Sequence, residues 1–145
     1  MKIALGADHA GVALKADIKQ LLDERGIAYT DFGTNSTDPV DYPDYAATVA
    51  REVSSGAFDR AILFCGSGIG MAIAANKVAG IRAAPVVDET SARLSREHND
   101  LNVLSLAGRV TPAAEARRIV DAFLDTPFAG GRHQRRVDKI SALDR

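Results

Sequence analysis

At 145 residues, with 46% apolar and 26% charged side chains, the chain has the make-up of one globular domain, not of a disordered or fibrous protein. Eighteen Lys and Arg against 19 Asp and Glu leave a formal net charge of −1, which argues against a chain built to coat nucleic acid or an anionic membrane. The single cysteine, Cys65, excludes an internal disulfide and points to a reducing compartment.

In chain order, Ile3-Ala4-Leu5 is a short buried strand that ends at Gly6. The apolar start of the chain meets Asp8 too early for a signal-peptide core. Leu14, Ile18, Leu21 and Leu22 follow at helical spacing, with Lys15, Lys19, Asp23 and Glu24 off the apolar stripe. Gly26 stops this helix. Ile27 to Phe32 is a second strand, and the polar stretch Gly33 to Pro43 a loop. Tyr42, Tyr45, Val49 and Val53 mark a second helix that closes near Gly56. Ala61 to Cys65 is the clearest buried strand. A glycine loop follows, Gly66-Ser67-Gly68-Ile69-Gly70, and then a helix from Met71 to Lys77.

Arg82 to Val87 is a fourth strand, Thr90 to Asn99 a helix, and Val103 to Leu106 a fifth strand. Thr111 before Pro112 reads as a cap ahead of a first-turn proline. Ala116, Ile119, Val120, Phe123 and Leu124 share one face of the next helix. The tail from Arg132 is a last short helix carrying Val137, Ile140 and Leu143. No stretch reaches the ~20 apolar residues of a membrane helix, so a soluble cytoplasmic protein is expected.

Five apolar strands alternating with helices predict one α/β domain over 1–145: a three-layer α/β/α sandwich around a five-stranded parallel Rossmann-like sheet, with a helical tail at about 132–145. Such folds bind ligands beyond the carboxyl ends of their strands. The positions that matter are then Asp8 and His9, Gly33 to Asn35, Cys65 to Gly70, Asp88 and Glu89, and Gly108 and Arg109.

The glycine loop lacks both nucleotide fingerprints. Met71 stands where the dinucleotide pattern needs its third glycine, and no Gly-Lys-Ser/Thr follows. What remains is a set of backbone N–H groups converging at a helix start, an anion cradle; the alternative is a tight turn without a ligand. Cys65, directly before the loop, is either a reactive thiolate or an inert core thiol. It also occupies the place where response-regulator receivers need an aspartate. His9 and His98 are ligand-side candidates or ordinary structural histidines. From Arg132 to the end, five Lys/Arg stand against two Asp, net +3. Arg132 and Arg136 share a helical face and can clamp a phosphate, or they form a solvated basic face. Nucleic-acid binding is disfavoured, because no aromatics are interleaved.

Read together, Gly6-Ala7-Asp8-His9-Ala10-Gly11, Asp41-Tyr42-Pro43, Cys65 to Gly70, Ala74-Ala75-Asn76-Lys77, Leu94 to Asp100 and Gly130-Gly131-Arg132-His133 resemble the type B ribose-5-phosphate isomerase family. The relatives of that family include galactose-6-phosphate, allose-6-phosphate and tetrose-phosphate isomerases. The resemblance runs from end to end, in register. It implies interconversion of ribose 5-phosphate and ribulose 5-phosphate through an enediolate, with no metal or other cofactor. Cys65 would be the base between C1 and C2, and the loop amides from Gly66 through Ser67, Gly68 and Ile69 to Gly70, helped by the Ser67 hydroxyl, the oxyanion hole. His98 would open the furanose ring, Asp8 and Asn99 would hold hydroxyls, and His9, Arg109, Arg132 and Arg136 would surround the phosphate. A homodimer or dimer of dimers with the site at the subunit interface is implied, with the stretch from His98 to Arg109 reaching the neighbouring subunit's site.

Many members have threonine where this chain has Ser67, which keeps the hydroxyl. One branch carries a glutamate base at the position of Met71, which cannot take a proton, so the base role falls to Cys65. The rivals are an isomerase of a four- or six-carbon phosphorylated aldose and a non-catalytic sugar-phosphate-binding module.

Overall fold

The computed structural model describes all residues from Met1 to Arg145. Strands β1 (Lys2–Ala7), β2 (Ala28–Asp31), β3 (Arg60–Cys65), β4 (Ala83–Pro85) and β5 (Val103–Ala107) form one sheet in the order β2-β1-β3-β5-β4. Every pairing is parallel. The helices are α1 (Val12–Glu24), α2 (Tyr42–Ser54), α3 (Ile69–Ala75), α4 (Glu89–Asn99), α5 (Ala113–Asp125) and α6 (Arg132–Ser141), with a short helical turn at His9–Gly11. This is the α/β architecture expected from the alternating pattern. None of these helices is long and apolar enough to cross a membrane.

The period-two alternation of a strand sends successive side chains to opposite faces. Ile3, Leu5, Ile62, Phe64, Leu104 and Leu106 pack under α1 and α5, with Ala92 of α4. Ala4, Ala61, Leu63, Cys65 and Val103 pack under α2 and α3. Cys65 therefore points to the α2/α3 side of the sheet. The five apolar positions marked on α5 are all buried, as the helical spacing requires.

The edge strands depart from the expected pattern. β2 and β4 are shorter than the apolar runs that announced them, and their residues are partly or fully exposed. An edge strand has only one neighbour, so its flanking apolar residues pack beside the ladder instead of extending it. At β4, the Asn76 side-chain amide accepts from Ala83 N–H and donates to Ala83 C=O, both at 2.8 Å. Helix α3 starts two residues earlier than its pattern suggested, inside the glycine loop. Thr111 does not cap α5: Pro112 takes the N-cap position in extended conformation, and the Thr111 hydroxyl is buried without a partner. In the tail only Val137 is buried; Ile140 and Leu143 are exposed.

Lys15, placed on the polar face by its helical spacing, is 1% exposed. Its three ammonium donors are all used, by Asp31 Oδ1 at 2.7 Å, Asn35 Oδ1 at 3.0 Å and the Thr34 carbonyl. Lys19 binds the other Asp31 oxygen at 3.0 Å. This cluster holds the 33–35 loop against the end of β1. There Ala7 N–H donates to Gly33 C=O at 2.7 Å and Thr34 N–H to Ala7 C=O at 2.8 Å. The next residue along β1 is Asp8.

Candidate active site

The carboxyl ends of β1, β3 and β5 converge at the switch point of the sheet, where parallel α/β folds open a crevice. Only glycine permits this approach. A Cβ on Gly11 would lie 2.2 Å from the Phe64 carbonyl oxygen, and one on Gly108 would lie 2.6 Å from that of Ala10. Gly108 N–H donates to Cys65 C=O at 2.7 Å, and Arg109 N–H to Gly66 C=O at 3.1 Å. The residues after the three strands are thereby fixed against one another.

After Cys65 the chain turns through Gly68, at φ +77°, into α3. Gly68 N–H donates to Cys65 Sγ at 3.2 Å, which holds the thiol at the loop. Ser105 Oγ donates to Gly68 C=O at 2.6 Å, securing the turn from β5. Ile69 N–H donates to Ser67 Oγ at 3.2 Å. The N–H groups of Ser67 and Gly70 have no partner within the chain, as the first turn of a helix leaves its donors free.

Asp8 is 7% exposed and accepts from Ala10 N–H at 2.9 Å and Gly11 N–H at 3.2 Å. Those bonds set its carboxylate at the crevice mouth. His9 Nδ1 accepts from Val40 N–H at 3.2 Å, which assigns the ring proton to Nε2. The Arg109 side chain lies along the loop, with Cδ and Nη1 3.3 Å from where a Gly66 Cβ would stand. It makes no ion pair within the chain.

Most of these groups, though not His9 or Gly68, line a cavity of about 650 Å³. Asp8, Cys65, Gly66, Ser67, Ile69, Gly70 and Arg109 form part of its wall, joined by Tyr42, Ile73 and Val110. The last three were not singled out as site residues from the sequence. For Tyr42 a signal existed, in the Asp41-Tyr42-Pro43 motif. Its ring stands 2.6 Å from where a Gly70 Cβ would be, so the missing side chain at Gly70 is what admits it.

His98, Asn99, Arg132 and Arg136 are not in this wall. They stand together at the end of α4 and the start of α6. There the His98 and His133 rings stack. Asn99 lines a second cavity of about 450 Å³ beside the β4 edge and the tail, which holds none of the loop. Around the Cys65 cavity, Ile69, Ile73 and Val110 are all more than half exposed, a large apolar rim for a surface feature.

The ribose/galactose isomerase family model matches residues 3–140. Ribose-5-phosphate isomerase B of Escherichia coli is 50% identical over 143 residues, covering 99% of this chain and 96% of the relative. D-erythrulose-4-phosphate isomerase of Pectobacterium atrosepticum is 43% identical over 142 residues, covering 97% and 93%. Among solved structures, ribose-5-phosphate isomerase B of Clostridium thermocellum superposes with a TM-score of 0.97 at 50% identity, covering 99% of this chain and 97% of the other. The Mycoplasma genitalium enzyme with bound ribulose-5-phosphate superposes at 0.94 with 44% identity, covering 97% and 94%.

Proposed function

The chain belongs to the ribose/galactose isomerase family and is an aldose–ketose isomerase, and from that premise we propose that it interconverts ribose 5-phosphate and ribulose 5-phosphate with Cys65 as the base. The observation that carries this reading is the meeting, in one cavity, of the Cys65 thiol, the free loop donors and the unpaired Arg109 guanidinium. In the reaction the C2 proton of the open-chain aldose passes to C1, and a hydroxyl proton passes from O2 to O1. Carbon next to a carbonyl is weakly acidic, so a base and oxyanion donors must act on the same atoms. Cys65 removes and returns the carbon-bound proton. The N–H groups of Ser67 and Gly70 stabilise the enediolate oxygen as charge develops, an effect worth about 3–4 kcal/mol per donor in comparable sites. Arg109 supplies a cation for the phosphate.

The remaining roles go to His98 for ring opening, Asn99 for a hydroxyl and Arg132 and Arg136 for the phosphate. Because these four stand outside the cavity of their own chain, the site is completed by the corresponding residues of a second subunit. The exposed apolar rim of Ile69, Ile73 and Val110 supports that assembly, a homodimer or a dimer of dimers. The activity fits the pentose phosphate pathway and the cytoplasm.

A second reading, an isomerase of another phosphorylated aldose, is favoured by the similarity to a tetrose-phosphate isomerase. A kcat/KM panel over tetrose, pentose and hexose phosphates separates the two. Ribose 5-phosphate is expected to lead by at least about tenfold, the discrimination that one or two carbon-sized contacts provide. A preferred hexose or tetrose phosphate overturns the proposal.

Gly70→Ala tests the cavity wall. The added methyl must displace the Tyr42 ring, and a shift of this size near reacting atoms costs on the order of tenfold to a hundredfold in kcat/KM. Steady-state kinetics beside an unchanged melting temperature would show it, and wild-type kinetics would remove Tyr42 from the site.

A further inference from the structure

We propose that His133 is a positioning residue for His98, the stacked rings holding the His98 imidazole in one orientation. This rests on the assignment of His98 to ring opening. The ring centroids are 4.4 Å apart and the planes 14° from parallel. The backbone builds this juxtaposition. Ala129 N–H donates at 3.1 Å to the carbonyl of Glu97, the residue before His98. Arg96 Nε donates to the Thr126 carbonyl at 3.2 Å, so the segment leaving α5 is tied to α4 twice. Gly130 and Gly131, at φ +66° and +55°, then turn the chain so that the second residue of α6 meets the last turn of α4. Two successive positive φ values are a conformation that glycine adopts without strain.

Two protons on this pair would put two cations in ring contact. Arg132 and Arg136 add positive charge from α6, and Glu97 of α4 opposes them. The two rings stand at helix ends of opposite sign. His98 lies in the last turn of α4, where the carbonyl end favours a cation. His133 lies in the first turn of α6, where the N–H end disfavours one. Partial burial, then the charges of His98, Arg132 and Arg136, push the His133 imidazole below the ordinary histidine value of 6.5. The arrangement presents an oriented His98 ring to the sugar ring oxygen, with the His133 ring stacked behind it.

The chain has three histidines, so each ring can be followed by NMR in a pH titration of the full-length protein, with H98Q and H133Q giving the assignments. The His133 titration is expected to move upward in H98Q. In kinetics, H133A should lower kcat for ribose 5-phosphate by roughly tenfold, with a changed pH profile. H133F keeps a stacking ring without the second titratable nitrogen, and should restore kcat to within about threefold of wild type while its pH profile stays changed. A His133 titration that does not move in H98Q, or H133A with wild-type kcat and pH profile, overturns the inference. Full activity in H98Q overturns instead the catalytic assignment beneath it, and the positioning role with it. An inactive H98Q with an unmoved His133 titration leaves that assignment standing and overturns only the coupling of the pair.

Discussion

Cys65→Ala is expected to lower kcat by about 10²–10⁴-fold, the usual worth of a positioned general base, while KM for the sugar phosphate stays within about threefold. The split follows from geometry. The thiol sits between the end of β3 and the glycine loop, whereas Asp8, Arg109 and the loop donors line the cavity from other positions. Alanine removes the thiol proposed as the proton acceptor and leaves those groups in place. The replacement is also mild for the fold, since Cys65 is a small side chain within the α2/α3 core. A coupled isomerase assay gives kcat, and calorimetric titration with a substrate-like sugar phosphate gives binding. A variant retaining most of its turnover would mean that another group moves the proton. Met71, next to the loop, has no basic atom with which to take that role.

Lys15→Met is expected to cost about 3–5 kcal/mol of folding stability, because it removes one partner of a buried charge pair and strands the other. Methionine preserves the length and apolar stem of lysine, so packing is largely kept and the loss is electrostatic. Asp31 retains Lys19, which is more exposed, and this places the expected loss toward the lower end of the range. A double replacement, Lys15→Met with Asp31→Leu, should recover part of it, a non-additivity visible in urea denaturation. If the single and double variants lose equal stability, the pair is not coupled.

The same cluster predicts an acid limb. Burial alone would raise the Asp31 carboxyl, but hydrogen bonds from Lys15, Gly33 N–H and Lys19 outweigh it and hold the group below its ordinary range. Burial lowers the Lys15 ammonium against the pull of Asp31; the carboxylate has the clearer direction because three donors converge on it. A folded value below the unfolded one means that this stability is present above about pH 4 and is lost as the pH falls through the folded value. Lys15→Met should therefore weaken the acid limb as well as the plateau. The 33–35 loop would loosen too. Since that loop bonds to Ala7, the disturbance should reach Asp8 and raise KM.

The central strands were legible because both of their faces are buried, and burial on both faces writes an unbroken apolar run. β1, β3 and β5 all follow that rule. The edges were legible only in outline: the runs Ile27–Phe32 and Arg82–Val87 mark where chain packs, which is longer than where it pairs. Lys15 shows the limit of periodicity. Its spacing assigns it to solvent, and what buries it is Asp31, on a strand after the next turn, which no local pattern reports. Around the cavity, Asp8, Cys65 to Ser67, Ile69, Gly70 and Arg109 follow one rule, that residues after parallel strands line the crevice; His9 and Gly68, named by the same rule, lie outside the wall. Tyr42 escaped that rule because it opens a helix, and it reaches the site only through the space left at Gly70. His98, Asn99, Arg132 and Arg136 carry no positional signal toward Cys65 within one chain. Their place came from the resemblance to the family, and helices α4 and α6 hold them in a group of their own.

The amide of Asn76 at the margin of the sheet sets a limit on growth. In parallel pairing, alternate residues of β4 turn their backbone groups toward β5, leaving Ala83 and Pro85 to face outward. Asn76 already occupies both outward groups of Ala83, and Pro85 has no N–H to give. A sixth strand, from another copy or from an unfolded neighbour in a crowded solution, finds no ladder there to extend. At this margin the molecule resists fibril-like stacking.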